Sequence, residues 1–62
     1  MGFKLNLYEL MQKNDVNSYK LAKSVGVHVS TVTNWLNGSN PKLEHLCSVS
    51  AFFNVPVDEL LK

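Results

Sequence analysis

Turn-forming residues interrupt this chain so often that they limit its fold more than any other feature. Asn14-Asp15, Gly26, Asn37-Gly38, Pro41, and the pair Asn54 and Pro56 cut it into five short segments. In the first, about Phe3 to Lys13, the apolar residues Phe3, Leu7, Leu10 and Met11 recur at helical spacing. Val16 follows the polar break and is expected to pack inward from the loop. The second segment opens on Asn17-Ser18, residue types whose side-chain oxygens accept a bond from an unpaired helix amide. Its inner face is Leu21, Ala22 and Val25, and Gly26 stops it with a left-handed turn. The third, about Val29 to Leu36, is rich in Val and Thr, and propensity alone suggests a strand. The one-sided placement of Val32 and Trp35 and its position between two helices make it a helix, closed by Asn37-Gly38. The fourth begins after Pro41 with Leu43, Leu46, Val49, Ser50 and Phe53 as its inner stripe and Asn54 as a left-handed cap. In the fifth, Val57 to Leu61, Asp58 and Glu59 occupy the first turn, where they complement the helix dipole. Val55, Val57, Leu60 and Leu61 are expected to seal the core. Five short helices without strands predict an all-α, compact orthogonal bundle.

At 62 residues the chain reads as one domain, residues 1–62. A domain of this size is only marginally stable alone. The single cysteine, Cys47, excludes an internal disulfide and a cysteine zinc site. It is expected to be structural, because no basic residue is placed to activate it. No apolar run approaches the roughly 18 residues needed to span a membrane, and no signal-peptide pattern is present. Met1-Gly2 suggests myristoylation, but Asn6 stands where that pattern wants Ser or Thr. The expected location is the cytoplasm. Net charge is +1, unevenly spread. Residues 1–42 carry five lysines against Glu9 and Asp15, net +3, and residues 43–62 carry Lys62 against Glu44, Asp58 and Glu59, net −2. Such asymmetry suits a molecule with one face toward phosphate.

Residues 17–38 read NSYKLAKSVGVHVSTVTNWLNG: a capped helix, a glycine turn and a second short helix. One edge of the second helix is apolar, Val32 and Trp35. The other is short and polar, Ser30, Thr31, Thr33, Asn34 and Asn37. Reading a DNA major groove requires a thin helix bearing hydrogen-bonding or methyl-bearing side chains near its start. The stretch resembles the helix-turn-helix of the Cro and phage-repressor family, and PKLEHLCSVSAFFNVPVDELL resembles that family's fourth and fifth helices. The resemblance spans Asn17 to Leu61 and rests on the joint spacing of Leu21-Ala22, Gly26, Val32, Trp35 and Asn37-Gly38. It implies a lambda-repressor-like fold and sequence-specific binding of double-stranded DNA by a transcriptional regulator, with a helix-turn-helix core at 17–38.

By the same resemblance, Val29, Ser30, Thr33 and Asn34 fall where base edges are contacted. Asn34 can pair bidentately with adenine, and Val29 and the Thr33 methyl can pack on a thymine methyl. Asn17, Ser18, His28, Asn37, Ser39, Asn40 and Lys42 fall near phosphates, where contacts position a domain without reading sequence. Lys20 and Lys23 add nonspecific attraction. The partners implied are a pseudo-palindromic operator and a second copy of the chain, with no cofactor, metal, membrane or small-molecule substrate. Four departures modify the expectation. Met11 stands where the family commonly has arginine, so that site is expected to be apolar. His28 replaces a Ser or Thr cap of the recognition helix, which is expected to weaken the cap. Pro56 replaces another capping residue. The chain has no arginine, so it lacks the commonest guanine contact and the best phosphate fork. An A/T-leaning readout and modest affinity follow, with a need for dimerisation or cooperativity.

Other side chains have plainer readings. Trp35 and Phe53 are expected in the core and His45 as a solvated helix residue. Phe52, Leu5 and Tyr8 lie off the inner stripes, either as lone surface residues or as self-association contacts. The Ser50 hydroxyl is expected to return to a carbonyl one turn back. His28 and His45 are too few and too poorly spaced for a metal site. The carboxylates are scattered and there is no glycine-rich phosphate loop, so an enzyme is not expected. The alternative function is a protein-interaction module of the same fold, antirepressor or antitoxin-like, with little DNA affinity.

Overall fold

The computed structural model describes residues 2–62; Met1, and with it half of the Met1-Gly2 pair, lies outside the described residues. Five helices follow in chain order: α1 (Phe3–Lys13), α2 (Ser18–Val25), α3 (Val29–Leu36), α4 (Leu43–Phe53) and α5 (Val57–Leu61). Each begins or ends at one of the breaks read from the sequence. The Asn17 side chain accepts from the Lys20 amide at 2.7 Å and starts α2. Gly26 ends it at φ 80°, and its amide and that of Val27 both donate to the Ala22 carbonyl. Asn54, at φ 56°, caps α4 in the left-handed region that asparagine tolerates. No described helix is long and apolar enough to cross a membrane.

The core is a cluster of ten buried residues: Phe3, Leu7 and Met11 of α1, Leu21 and Ala22 of α2, Val32 and Trp35 of α3, Leu46 and Val49 of α4, and Leu60 of α5. α3 runs through the middle. It packs on both α1 and α2, and the Trp35 indole meets Phe3 edge-on, with ring centroids 5.7 Å apart. Such T-shaped pairs contribute about 0.5–1.5 kcal/mol beyond the area they bury. α5 closes the molecule against α1 and α4. There Asn6 Nδ2 donates to the Leu60 carbonyl at 2.9 Å and the Gly2 amide to the Lys62 carbonyl at 3.2 Å. Val16 packs inward from its loop as expected, half-buried, with its amide on the Met11 carbonyl.

Several side chains depart from the expected pattern. The inner face of α4 is rotated toward its C-terminal half. Leu43 is 73% exposed, whereas His45 is half-buried and sits over Trp35 at 5.9 Å. Phe52 joins Phe53 in a T-shaped pair at 5.0 Å, and both are half-buried against the core. The reason is spacing: Phe52 and Phe53 stand three and four residues after the fully buried Val49, on its side of the helix. The Ser50 hydroxyl reaches forward to the Val55 carbonyl at 2.8 Å, where the chain turns after the cap, and not back one turn. In α5 the buried position goes to Leu60, while Leu61 faces outward at 52% exposure. Leu10 is half-buried rather than fully inside, and Cys47 is exposed.

Trp35→Ala should remove about 3–5 kcal/mol of stability, comparable to the whole for a domain this small. Far-ultraviolet circular dichroism at 25 °C should show that variant largely unfolded. Leu43→Ala should keep its denaturation midpoint within about 0.5 kcal/mol of the parent.

Candidate nucleic-acid interface

The helix-turn-helix geometry follows from three local devices. Asn17 starts α2, Gly26 turns the chain, and α3 begins at His28. At Gly26 a β-carbon would meet no atom within 4 Å. Glycine is therefore needed for its backbone conformation and not for space. At His28 the imidazole caps α3 through one backbone amide, so a cap remains where Ser or Thr is replaced. Its Nδ1 accepts from the Ser30 amide at 3.1 Å and lies 2.9 Å from the Ser30 hydroxyl. A neutral imidazole nitrogen with a free lone pair can accept a helix amide, as a serine oxygen does. At the far end, the amides of Asn37, Gly38 and Ser39 donate to carbonyls of Thr33, Trp35 and Asn34 and satisfy the last turn.

Because Val32 is fully buried and Trp35 nearly so, the opposite side of α3 is forced outward. Ser30, Thr33, Asn34 and Asn37 follow at three- and four-residue spacing and therefore share one face. All four are exposed. Val29 is half-buried at the start of the same face, and Thr31 is half-buried on its flank. The Thr33 hydroxyl donates to the Val29 carbonyl at 3.2 Å, which spends its proton inside the helix. Of the residues expected near phosphate, Asn17, His28, Asn37, Ser39, Asn40 and Lys42 are exposed and Ser18 is half-buried. They fall at the start of α2, the start of α3 and the α3–α4 connection. The Asn17 oxygen is occupied by its cap, so its Nδ2 hydrogens are the group it can offer outward.

A model of the helix-turn-helix family matches residues 7–60. The chain belongs to that family, in its Cro and phage-repressor class. No curated protein and no solved structure gives a significant match to the sequence. As a helix-turn-helix member the chain is a DNA-binding module, consistent with transcription regulation, and the family is non-catalytic. Among the described residues no three His, Cys, Asp or Glu side chains are placed to hold a metal ion.

One feature of this helix-turn-helix escaped the sequence reading. Tyr19, 67% exposed on α2, borders a shallow depression with Lys23, Val27, His28 and Val29 at the start of α3. The signal was present: Tyr19 and Lys23 are four residues apart and off the Leu21-Ala22 stripe. Met11 is buried, as its apolar replacement of arginine suggested. It lies beneath a second depression bordered by Tyr8, Gln12, Asn17 and Leu36.

Gly26→Ala should cost about 1–2 kcal/mol, the penalty of a left-handed alanine, and Asn17→Ala about 1 kcal/mol for the lost cap. Urea denaturation of both variants measures these values. Equal stability of Gly26→Ala and the parent would contradict the left-handed turn.

Proposed function

We propose that this protein is a sequence-specific transcriptional regulator that lays α3 in the major groove. It does so as a homodimer on a pseudo-palindromic operator whose half-sites lie about one helical turn, ~34–36 Å, apart. The observation that carries this reading is the exposed strip Ser30, Thr33, Asn34 and Asn37 on a helix whose other side is locked in the core. Asn34 is the principal reader, its amide matching the N6 and N7 edge of adenine. Thr33 has its hydroxyl turned to the Val29 carbonyl, which leaves its methyl, beside Val29, to meet a thymine methyl. Ser30 supplies a further base contact. Asn17, Ser18, His28, Asn37, Ser39, Asn40 and Lys42 hold the backbone on either side, with amides, hydroxyls and one lysine replacing guanidinium forks. Without arginine, each half-site binds modestly and two are needed for occupancy.

A second reading, a protein-interaction module of the same fold, draws support from the exposed Leu5, Tyr8, Leu43 and Leu61. Salt separates the two. Occupancy of DNA should fall steeply with ionic strength, by about 0.9 logarithmic units in affinity per logarithmic unit of salt for each phosphate neutralised. An apolar protein contact should hardly respond.

Sequences selected from random duplexes provide the operator. On it, Asn34→Ala should lose about 1–3 kcal/mol of discrimination at one base position, with folding stability unchanged because the side chain is exposed. Lys42→Ala should weaken all sequences alike and reduce the salt slope by about 1. Unaltered preference in Asn34→Ala would refute the assignment of α3 as the reading helix.

A further inference from the structure

The contact between His28 and Ser30 carries an inference about what Ser30 can read. The Ser30 amide donates to His28 Nδ1, so that nitrogen carries a lone pair and the imidazole proton resides on Nε2. The Ser30 hydroxyl lies 2.9 Å from the same nitrogen; in this tautomer Nδ1 has no hydrogen to give, so the hydroxyl can meet it only as a donor, sharing the one lone pair with the amide. A serine oxygen whose only proton is committed faces outward with lone pairs alone. We infer that His28 is a positioning residue that sets the hydrogen-bond polarity of Ser30, making Ser30 a reader of exocyclic amino groups on DNA bases. In the major groove those groups are adenine N6 and cytosine N4, while guanine N7 and O6 and thymine O4 are acceptors that Ser30 in this state repels. The inference rests on the proposed DNA-reading role of α3 and deepens it at one side chain.

The test uses the full chain and two independent readouts. Nitrogen chemical shifts of the free protein at pH 8 should show His28 as the Nε2-protonated tautomer; the Nδ1-protonated form would overturn the inference without reference to DNA. On the selected operator, the base whose preference vanishes in Ser30→Ala marks the Ser30 contact. Deleting the amino group there, with purine in place of adenine or pyrimidinone in place of cytosine, should weaken the parent roughly three- to tenfold, the worth of one hydrogen bond. It should leave Ser30→Ala unaffected. Deleting the acceptor of a purine there, with the 7-deaza base, should change nothing; sensitivity to that deletion in place of the amino deletion overturns the inference. In His28→Ala, which removes the acceptor that commits the serine proton, the amino sensitivity should fall; sensitivity equal to the parent's overturns the role of His28. An Nε2-protonated imidazole together with no selected sequence at all overturns the DNA-reading role, and the readout with it.

Discussion

The burial of Val32 and Trp35 governs this molecule. These two side chains anchor α3 between the other helices, and Trp35 alone touches α1 through Phe3 and α4 through His45. An eight-residue helix has little stability of its own. α3 also contains Val and Thr, which favour extended structure. Its helical state is therefore a tertiary product: the apolar edge is held by the core, and the polar edge is presented because nothing else remains for it to do. Loss of the anchor would remove the shape of the interface and the stability of the domain together.

Around this anchor, short polar side chains serve the backbone first and the surface second. The Asn17 oxygen, His28 Nδ1 and Thr33 hydroxyl each complete a helix turn. Each such bond fixes a rotamer and removes one donor or acceptor from the outward inventory. The groups left over are correspondingly few and defined: the amide hydrogens of Asn17, one imidazole N–H, a threonine methyl and the whole amide of Asn34. In the proposed role, side chains held in this way have little conformational freedom to lose when contacts form.

Helix boundaries were legible because turn chemistry is local. Gly26 and Asn54 accept left-handed conformations, Asn17 caps, and Pro56 cannot continue α4. The core of α1, α2 and α3 was legible from periodicity. α4 was read less well at its start: Leu46, Val49 and Phe53 follow the expected stripe, but Leu43 in the first turn is exposed and His45 sits over Trp35 in its place. The sequence reading placed His28 at the cap of α3 and expected a weaker one, histidine being a less usual capping residue than serine or threonine; the imidazole lone pair takes the Ser30 amide. Tyr19 was passed over although its four-residue spacing from Lys23, off the buried stripe, put both on one outer face of α2. The exposure of Asn34 and Ser30 follows from the core, whereas their individual partners on DNA rest on the family resemblance.

The bond from the Gly2 amide to the Lys62 carbonyl brings the two ends of the described chain side by side, away from the capped start of α3 in sequence and joined through α1 and α5. The backbone is thus nearly a closed ring. A short glycine bridge between the ends, with a new opening at the exposed Asn14-Asp15 turn, would permute the order of the helices while leaving their packing in place. In such a rearranged molecule the helix-turn-helix would come first in the chain, and the route by which the core assembles could be varied independently of the surface it presents.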